Sequence, residues 1–149
     1  MTAGRLAVRR GVPAAALACA LLTACGGGEA APETAPSAPA GVGTVTTASD
    51  GVQEVTLQTQ DDYVFTPAEF TVEPGRVRLT VDNVAEELTH NFRFTPDTGP
   101  ASIAEEIDLL APGQRETIEF DVTATGDYPF ECSFHIRLGQ VGTMTVTGG

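Results

Sequence analysis

The segment Arg76-Val77-Arg78-Leu79-Thr80-Val81-Asp82 alternates polar and apolar side chains without a break. A period of two puts successive side chains on opposite faces of an extended strand, so one face packs while the other meets water. The pattern recurs in Val55 and Leu57, in Phe70 and Val72, in Ile118, Phe120 and Val122, and in Met144 and Val146. Turn residues punctuate the runs at Glu73-Pro74-Gly75, Pro112-Gly113 and Gly126-Asp127. Short alternating strands separated by Pro and Gly predict two packed sheets. The expected fold class is therefore all-β, a Greek-key sandwich of seven or eight strands over residues 51–149. One stretch departs from the rule. Ser102 and Glu105 have capping-box spacing, and Ile103, Ile107 and Leu110 share a helical face, yet Ile107 and Leu109 also alternate. The reading is a short helix or turn over 101–106, then a strand.

Upstream of residue 51 the pattern is absent. Arg5, Arg9 and Arg10 form a positive start, and Val12 to Leu22 is an apolar run shorter than a bilayer span. That order is the layout of a secretory signal peptide. The run ends Leu22-Thr23-Ala24-Cys25, followed by Gly26-Gly27-Gly28, which resembles the lipobox of bacterial lipoproteins. The resemblance implies cleavage before Cys25, lipidation of its sulfur, and an anchor on the extracytoplasmic face of the cell membrane. Cys19 lies inside the apolar run and would leave with residues 1–24. Residues 26–50 are Gly, Ala, Pro, Thr and Ser with almost nothing large enough to pack. Such a segment cannot bury enough apolar area to offset its ordering entropy. Residues 25–50 are therefore read as a lipidated Cys and a flexible tether.

Charge narrows the partners. The chain has 149 residues, 20 acidic against 8 basic, and a formal net charge of −12. Nucleic acid is not an expected partner, because phosphate contacts need Lys and Arg, and the acidic surface is read as solubility. Three Cys rule out a multi-disulfide scaffold.

Chemistry-bearing residues gather on two runs. In Leu88-Thr89-His90-Asn91-Phe92-Arg93-Phe94, His90 shares parity with Phe92 and Phe94, so it is expected to face the core. In Gly126-Asp127-Tyr128-Pro129-Phe130-Glu131-Cys132, the residues Tyr128, Phe130 and Cys132 share a face, and Ser133-Phe134-His135 follows. His90 and His135 are the only His, and Cys132 is the only Cys after Cys25. A buried His or Cys alone is ordinary packing. A thiolate with two imidazoles is a soft ligand set, suited to copper and also open to zinc. Cys132 ends a strand and His135 lies three residues on in a turn. Gly139 and Gly142 leave room for a tight return, so both side chains can reach one ion.

These residues carry a further resemblance. Phe65, Phe70, Gly75, His90-Asn91-Phe92, Pro112-Gly113, Ile118, Phe120, Gly126, Tyr128, Phe130, Cys132, His135, Gly139 and Gly142 together resemble a small bacterial cupredoxin, plastocyanin-like in loop spacing. The resemblance implies one copper ion, Cu(I)/Cu(II), bound by His90, Cys132 and His135, with Asn91 tying its loop to the Cys132-Ser133 turn. It also implies one-electron transfer rather than catalysis. The plastocyanin-like axial position holds Met, whereas this chain has Gln140 there, which resembles stellacyanin-like cupredoxins. Met144 is read as core of the last strand. Pro129 removes a ladder donor and is expected at an edge or facing away from a partner.

The function expected is a type 1 (blue) copper protein carrying single electrons at the outer face of the membrane. The alternative is a protein that buffers or delivers copper; no Met- or His-rich tract supports it. A copper enzyme needs a second copper site with more His than two. Expected partners are a redox donor and acceptor meeting a weak interface near His135, with Ile136 and Leu138 as an apolar docking patch. The chain is expected to act as a monomer.

Overall fold

The computed structural model describes residues 40–148. The expected signal peptide, Cys25 and most of the expected tether lie outside the described residues. The strands are β1 (Thr46–Thr47), β2 (Gln53–Thr59), β3 (Phe65–Thr66), β4 (Glu69–Val72), β5 (Gly75–Asn83), β6 (His90–Phe94), β7 (Ile107–Leu110), β8 (Arg115–Val122), β9 (Gly126–Glu131) and β10 (Val141–Val146). One sheet runs β1-β2-β5-β8, with β3 also on β2, and the other runs β4-β10-β9-β6-β7. The pairs β2–β5 and β4–β10 are parallel, and the remaining pairs are antiparallel. The all-β sandwich expected from the alternation is the fold observed. Ten strands replace seven or eight because β1 and β3 are two-residue strands too short to show a period.

Strand β1 lies inside the segment read as tether. Thr46 and Thr47 pair with Glu54 and Gln53, and Val45 packs against the core, so ordered pairing begins before residue 51.

The alternating residues fill the space between the sheets. Val55, Leu57, Val77, Leu79, Val81, Phe120 and Val122 come from one sheet, and Phe70, Val72, Tyr128, Phe130, Met144 and Val146 from the other. Phe65, Phe92 and Phe130 interlock with ring centroids 5.1–5.9 Å apart. Truncating such a buried ring costs ~3–5 kcal/mol. On the outer face of β5 and β8, Arg76 lies opposite Asp121, Arg78 opposite Glu119, and Thr80 opposite Thr117. These exposed pairs set register more than stability.

The helix or turn expected over 101–106 is not formed; Ala101 is a bend, and residues 102–106 run without regular structure into β7. A nucleus this short gains too few hydrogen bonds to offset its ordering cost, and Ile103 and Ile107 reach the core from extended chain. The expected strand does follow. Its alternation is not the simple one, because Ile107 and Leu110 point inward while Leu109 is exposed. Ile107 pairs with Phe92 and Leu110 with His90, so β7 carries one extra residue as a bulge.

Pro129 sits in β9, an interior strand, rather than at an edge. Its carbonyl accepts from Thr95 N–H, one residue beyond β6, so its missing donor also faces the side where β6 has ended. Gly142 pairs with Phe130, and a Cβ there would overlap the Phe130 ring and the Ala68 carbonyl. Neither neighbour is a flexible chain end. Gly142→Ala is expected to cost ~1–3 kcal/mol, a fall of ~5–20 °C in thermal midpoint by circular dichroism.

Candidate metal centre

Four side chains from β6 and from the loop after β9 converge at one end of the sandwich. Cys132 directly follows β9. Its N–H donates to the Gln140 carbonyl at 3.0 Å, and its carbonyl accepts from His135 N–H at 3.0 Å. The 3-10 turn Ile136–Leu138 then ends at Gly139, whose φ is 91°. Glycine adopts that left-handed conformation without Cβ penalty, so the loop reverses there into Gln140 and β10.

His90 opens β6, and the chain before it is pinned from the turn after β2. The Asp61 carboxylate accepts the N–H groups of Glu86, Glu87 and Leu88 at 2.8, 3.2 and 2.9 Å. The bond from Glu86 is the largest cause holding the Asp61 carboxyl below its ordinary range. A carboxyl lowered on folding stabilises above its unfolded pKa, and that contribution fades as pH falls through the folded value. Asp61→Ala is expected to lower the thermal midpoint at neutral pH, with the gap from the parent closing towards pH 3.

His90, Cys132 and Gln140 are fully buried, and His135 is half-buried. The expected inward parity of His90, Phe92 and Phe94 holds, although Asn91 between them is buried too. Its amide works in the site. Asn91 Nδ2 donates to Ser133 Oγ at 2.8 Å, and Ser133 N–H donates to Asn91 Oδ1 at 2.7 Å. The Asn91 N–H points at Cys132 Sγ, 3.5 Å away. The two segments are thus joined at the site, as the family resemblance implied.

The donor atoms of His90, Cys132 and His135 all lie within 4.8 Å of one another. Cys132 Sγ is 3.5 Å from His135 Nδ1 and 4.0 Å from His90 Nδ1. Gln140 Oε1 is 2.9 Å from His90 Nδ1 and 3.0 Å from His135 Nδ1. All four sequence-predicted site residues are brought together.

Proton accounting shows what this cluster fits. A neutral imidazole has one N–H. If His90 uses it at Nδ1 towards Gln140, its buried Nε2 has no hydrogen-bond partner. If the proton sits on Nε2, the lone pairs of Nδ1 and Oε1 face each other. Double protonation would satisfy Nδ1 but leave the Nε2–H without an acceptor, and burial, the largest influence, pushes the His90 pKa down. A metal cation accepts lone pairs from both imidazoles, the sulfur and the amide oxygen at once. The donor set of thiolate and imidazole suits copper or zinc.

Three contributors carry no sequence motif. Thr59 Oγ1 accepts from Gln140 Nε2 at 2.8 Å. Asp61 holds the 86–88 loop. Tyr63 places its ring 5.0 Å from that of His135 at 61°, from a backbone with φ of 59°. A bulky residue in that region is strained. Thr59 shares the inward parity of Val55 and Leu57, so the alternation points it inside, but only tertiary structure shows that its hydroxyl meets Gln140.

A two-sheet sandwich with a Cys-His-His cluster at one end defines a cupredoxin. The chain belongs to the plastocyanin/azurin family of copper binding proteins, whose model matches residues 52–147, more than half of the sequence. It is 37% identical over 92 residues to plastocyanin of Nostoc punctiforme, covering 56% of this chain and 65% of that one. It is 38% identical over 97 residues to plastocyanin A/B of Petroselinum crispum, covering 62% of this chain and 98% of the relative. The reduced auracyanin of Roseiflexus castenholzii superposes with a TM-score of 0.57 at 25% identity, over 64% of this chain and 97% of that one. The family's metal is copper, which resolves the choice that the donor set leaves between copper and zinc.

Proposed function

We propose that this chain is a type 1 (blue) copper protein that carries single electrons, with His90, Cys132 and His135 as equatorial ligands and Gln140 as axial ligand. The observation that carries the reading is the convergence of a buried thiol, two imidazole Nδ1 atoms and one amide oxygen on a single point. Copper held there supplies a one-electron Cu(I)/Cu(II) couple. The protein's part is to keep the donors still. The reciprocal Asn91–Ser133 hydrogen bonds and the Cys132–Gln140 backbone bond hold both ligand segments to one arrangement. A site that moves little between oxidation states has little to reorganise at each transfer. Both His of the chain stand in this one cluster, so none is left for a second, catalytic copper.

His135 is the ligand nearest the surface, ringed by exposed Phe134, Ile136 and Leu138. Such a patch suits a weak, small interface with a redox partner, below about 1,200 Å². Loading the protein with Cu(II) is expected to give one equivalent bound and an intense visible band. Cyclic voltammetry is expected to give a reversible one-electron wave. A loaded protein without such a wave would favour copper storage or delivery instead.

The sequence pattern of residues 1–28 supports export and a lipid anchor at Cys25. Acyl chains contribute ~0.8 kcal/mol per buried CH₂, so two or more hold a protein at a membrane. Cys25→Ser is expected to move the protein out of the membrane fraction. Mass spectrometry of the mature N-terminus checks it: an unmodified terminus, or one that starts elsewhere, rejects the anchor.

A further inference from the structure

We propose that Thr59 is the positioning residue that turns the amide oxygen of Gln140 towards the metal. The inference rests on Gln140 acting as axial donor. The two ends of a Gln amide have the same shape, so only their hydrogen-bond partners decide which end faces in. A cation at the convergence point requires the oxygen end. The –NH₂ end must then find an acceptor in a site where Gln140 is fully buried. Thr59 Oγ1, 2.8 Å from Nε2, is that acceptor.

Thr59 is placed by the fold rather than by the site. It ends β2 in the sheet opposite β10, pairing with Asn83 of β5 on one side and Phe65 of β3 on the other. Its carbonyl accepts from Val84 N–H at 3.0 Å, and its side chain is fully buried. The hydroxyl is therefore presented at a fixed point, 81 residues from Gln140 in sequence. Asp61, two residues on, serves the same end of the molecule by pinning the loop that leads into His90. Of the two, Thr59 alone acts on the axial donor.

Thr59→Val keeps the shape and deletes the acceptor. In the copper-loaded full chain, Thr59→Val is expected to raise the reduction potential in the same direction as Gln140→Leu and to change the visible band. Thr59→Ser keeps the hydroxyl and is expected to restore both. The decisive comparison is Thr59→Val within Gln140→Leu. A residue that acts through Gln140 has nothing left to move, so the double variant is expected to match Gln140→Leu alone. An equal shift in both backgrounds overturns the proposal while leaving Gln140 as ligand. A Gln140→Leu potential unchanged from the parent overturns the axial reading itself, and the proposal with it. Should Thr59→Val fail to fold, the parent in its diamagnetic Cu(I) form still decides. Its Gln140 side-chain amide protons are expected to exchange slowly and to lie close to the Thr59 methyl by NMR. Free exchange there refutes the role.

Discussion

Cys132→Ser is expected to leave the copper-loaded protein colourless and to lower its copper affinity by orders of magnitude. The intense visible band of a blue site comes from the bond between Cu(II) and a thiolate. Cys132 is the only sulfur among the clustered donors, with Sγ 3.5 Å from one Nδ1 and 4.0 Å from the other. The Asn91 N–H is aimed at that sulfur. A serine hydroxyl does not ionise at neutral pH and is a hard donor, so it replaces neither the charge nor the softness. The fold should persist, because Cys132 contributes one small buried side chain to a core made chiefly of aromatic and branched residues. Absorption spectra and metal analysis of parent and variant decide the matter. A blue Ser variant, or a colourless parent at full copper loading, refutes the assignment.

The strands and ligands were legible for the same reason: local period encodes which side a residue faces. Arg76 to Asp82 reads directly as β5, and the shared parity of Tyr128, Phe130 and Cys132 puts the thiol in the core. What the period hides is set by tertiary contact. Leu109 alternates with Ile107 in sequence, but the bulge against His90 and Phe92 hands the inward place to Leu110. The capping-box spacing of Ser102 and Glu105 describes a helix that Ile103 and Ile107 make unnecessary by packing from extended chain. Thr59 shares the inward parity of Val55 and Leu57, but nothing local says what its hydroxyl meets, and nothing local distinguishes Asp61 from solvated neighbours. Packing of the two sheets brings Thr59 to Gln140, and pairing of β2 with β5 brings Asp61 to the loop before His90. The metal ligands are chemically distinctive residue types; the groups that hold them still are common ones.

Gln140→Leu is expected to raise the reduction potential with colour and the equatorial ligands kept. An amide oxygen is a harder donor than a thioether or a hydrocarbon, and hard donors favour Cu(II) over Cu(I). Removing it therefore favours reduction. Each tenfold change in that preference moves a one-electron potential by about 59 mV, so a donor worth one to two powers of ten shifts it by ~60–120 mV. The starting geometry is favourable: Oε1 lies 2.9 and 3.0 Å from the two imidazole Nδ1 atoms, inside the same cluster as the thiol. Gln140→Met is expected to raise the potential as well and to move the spectrum towards that of plastocyanin-like sites. Met alone is a weak test, since a thioether could enter the site whether or not the amide had been bound. Leu has similar bulk and no donor, so its effect reads the loss of the oxygen. The buried Thr59 hydroxyl loses its partner in that variant, which bears on stability but not on the sign of the potential shift. Voltammetry showing the Leu variant unchanged from the parent would mean that Gln140 does not coordinate.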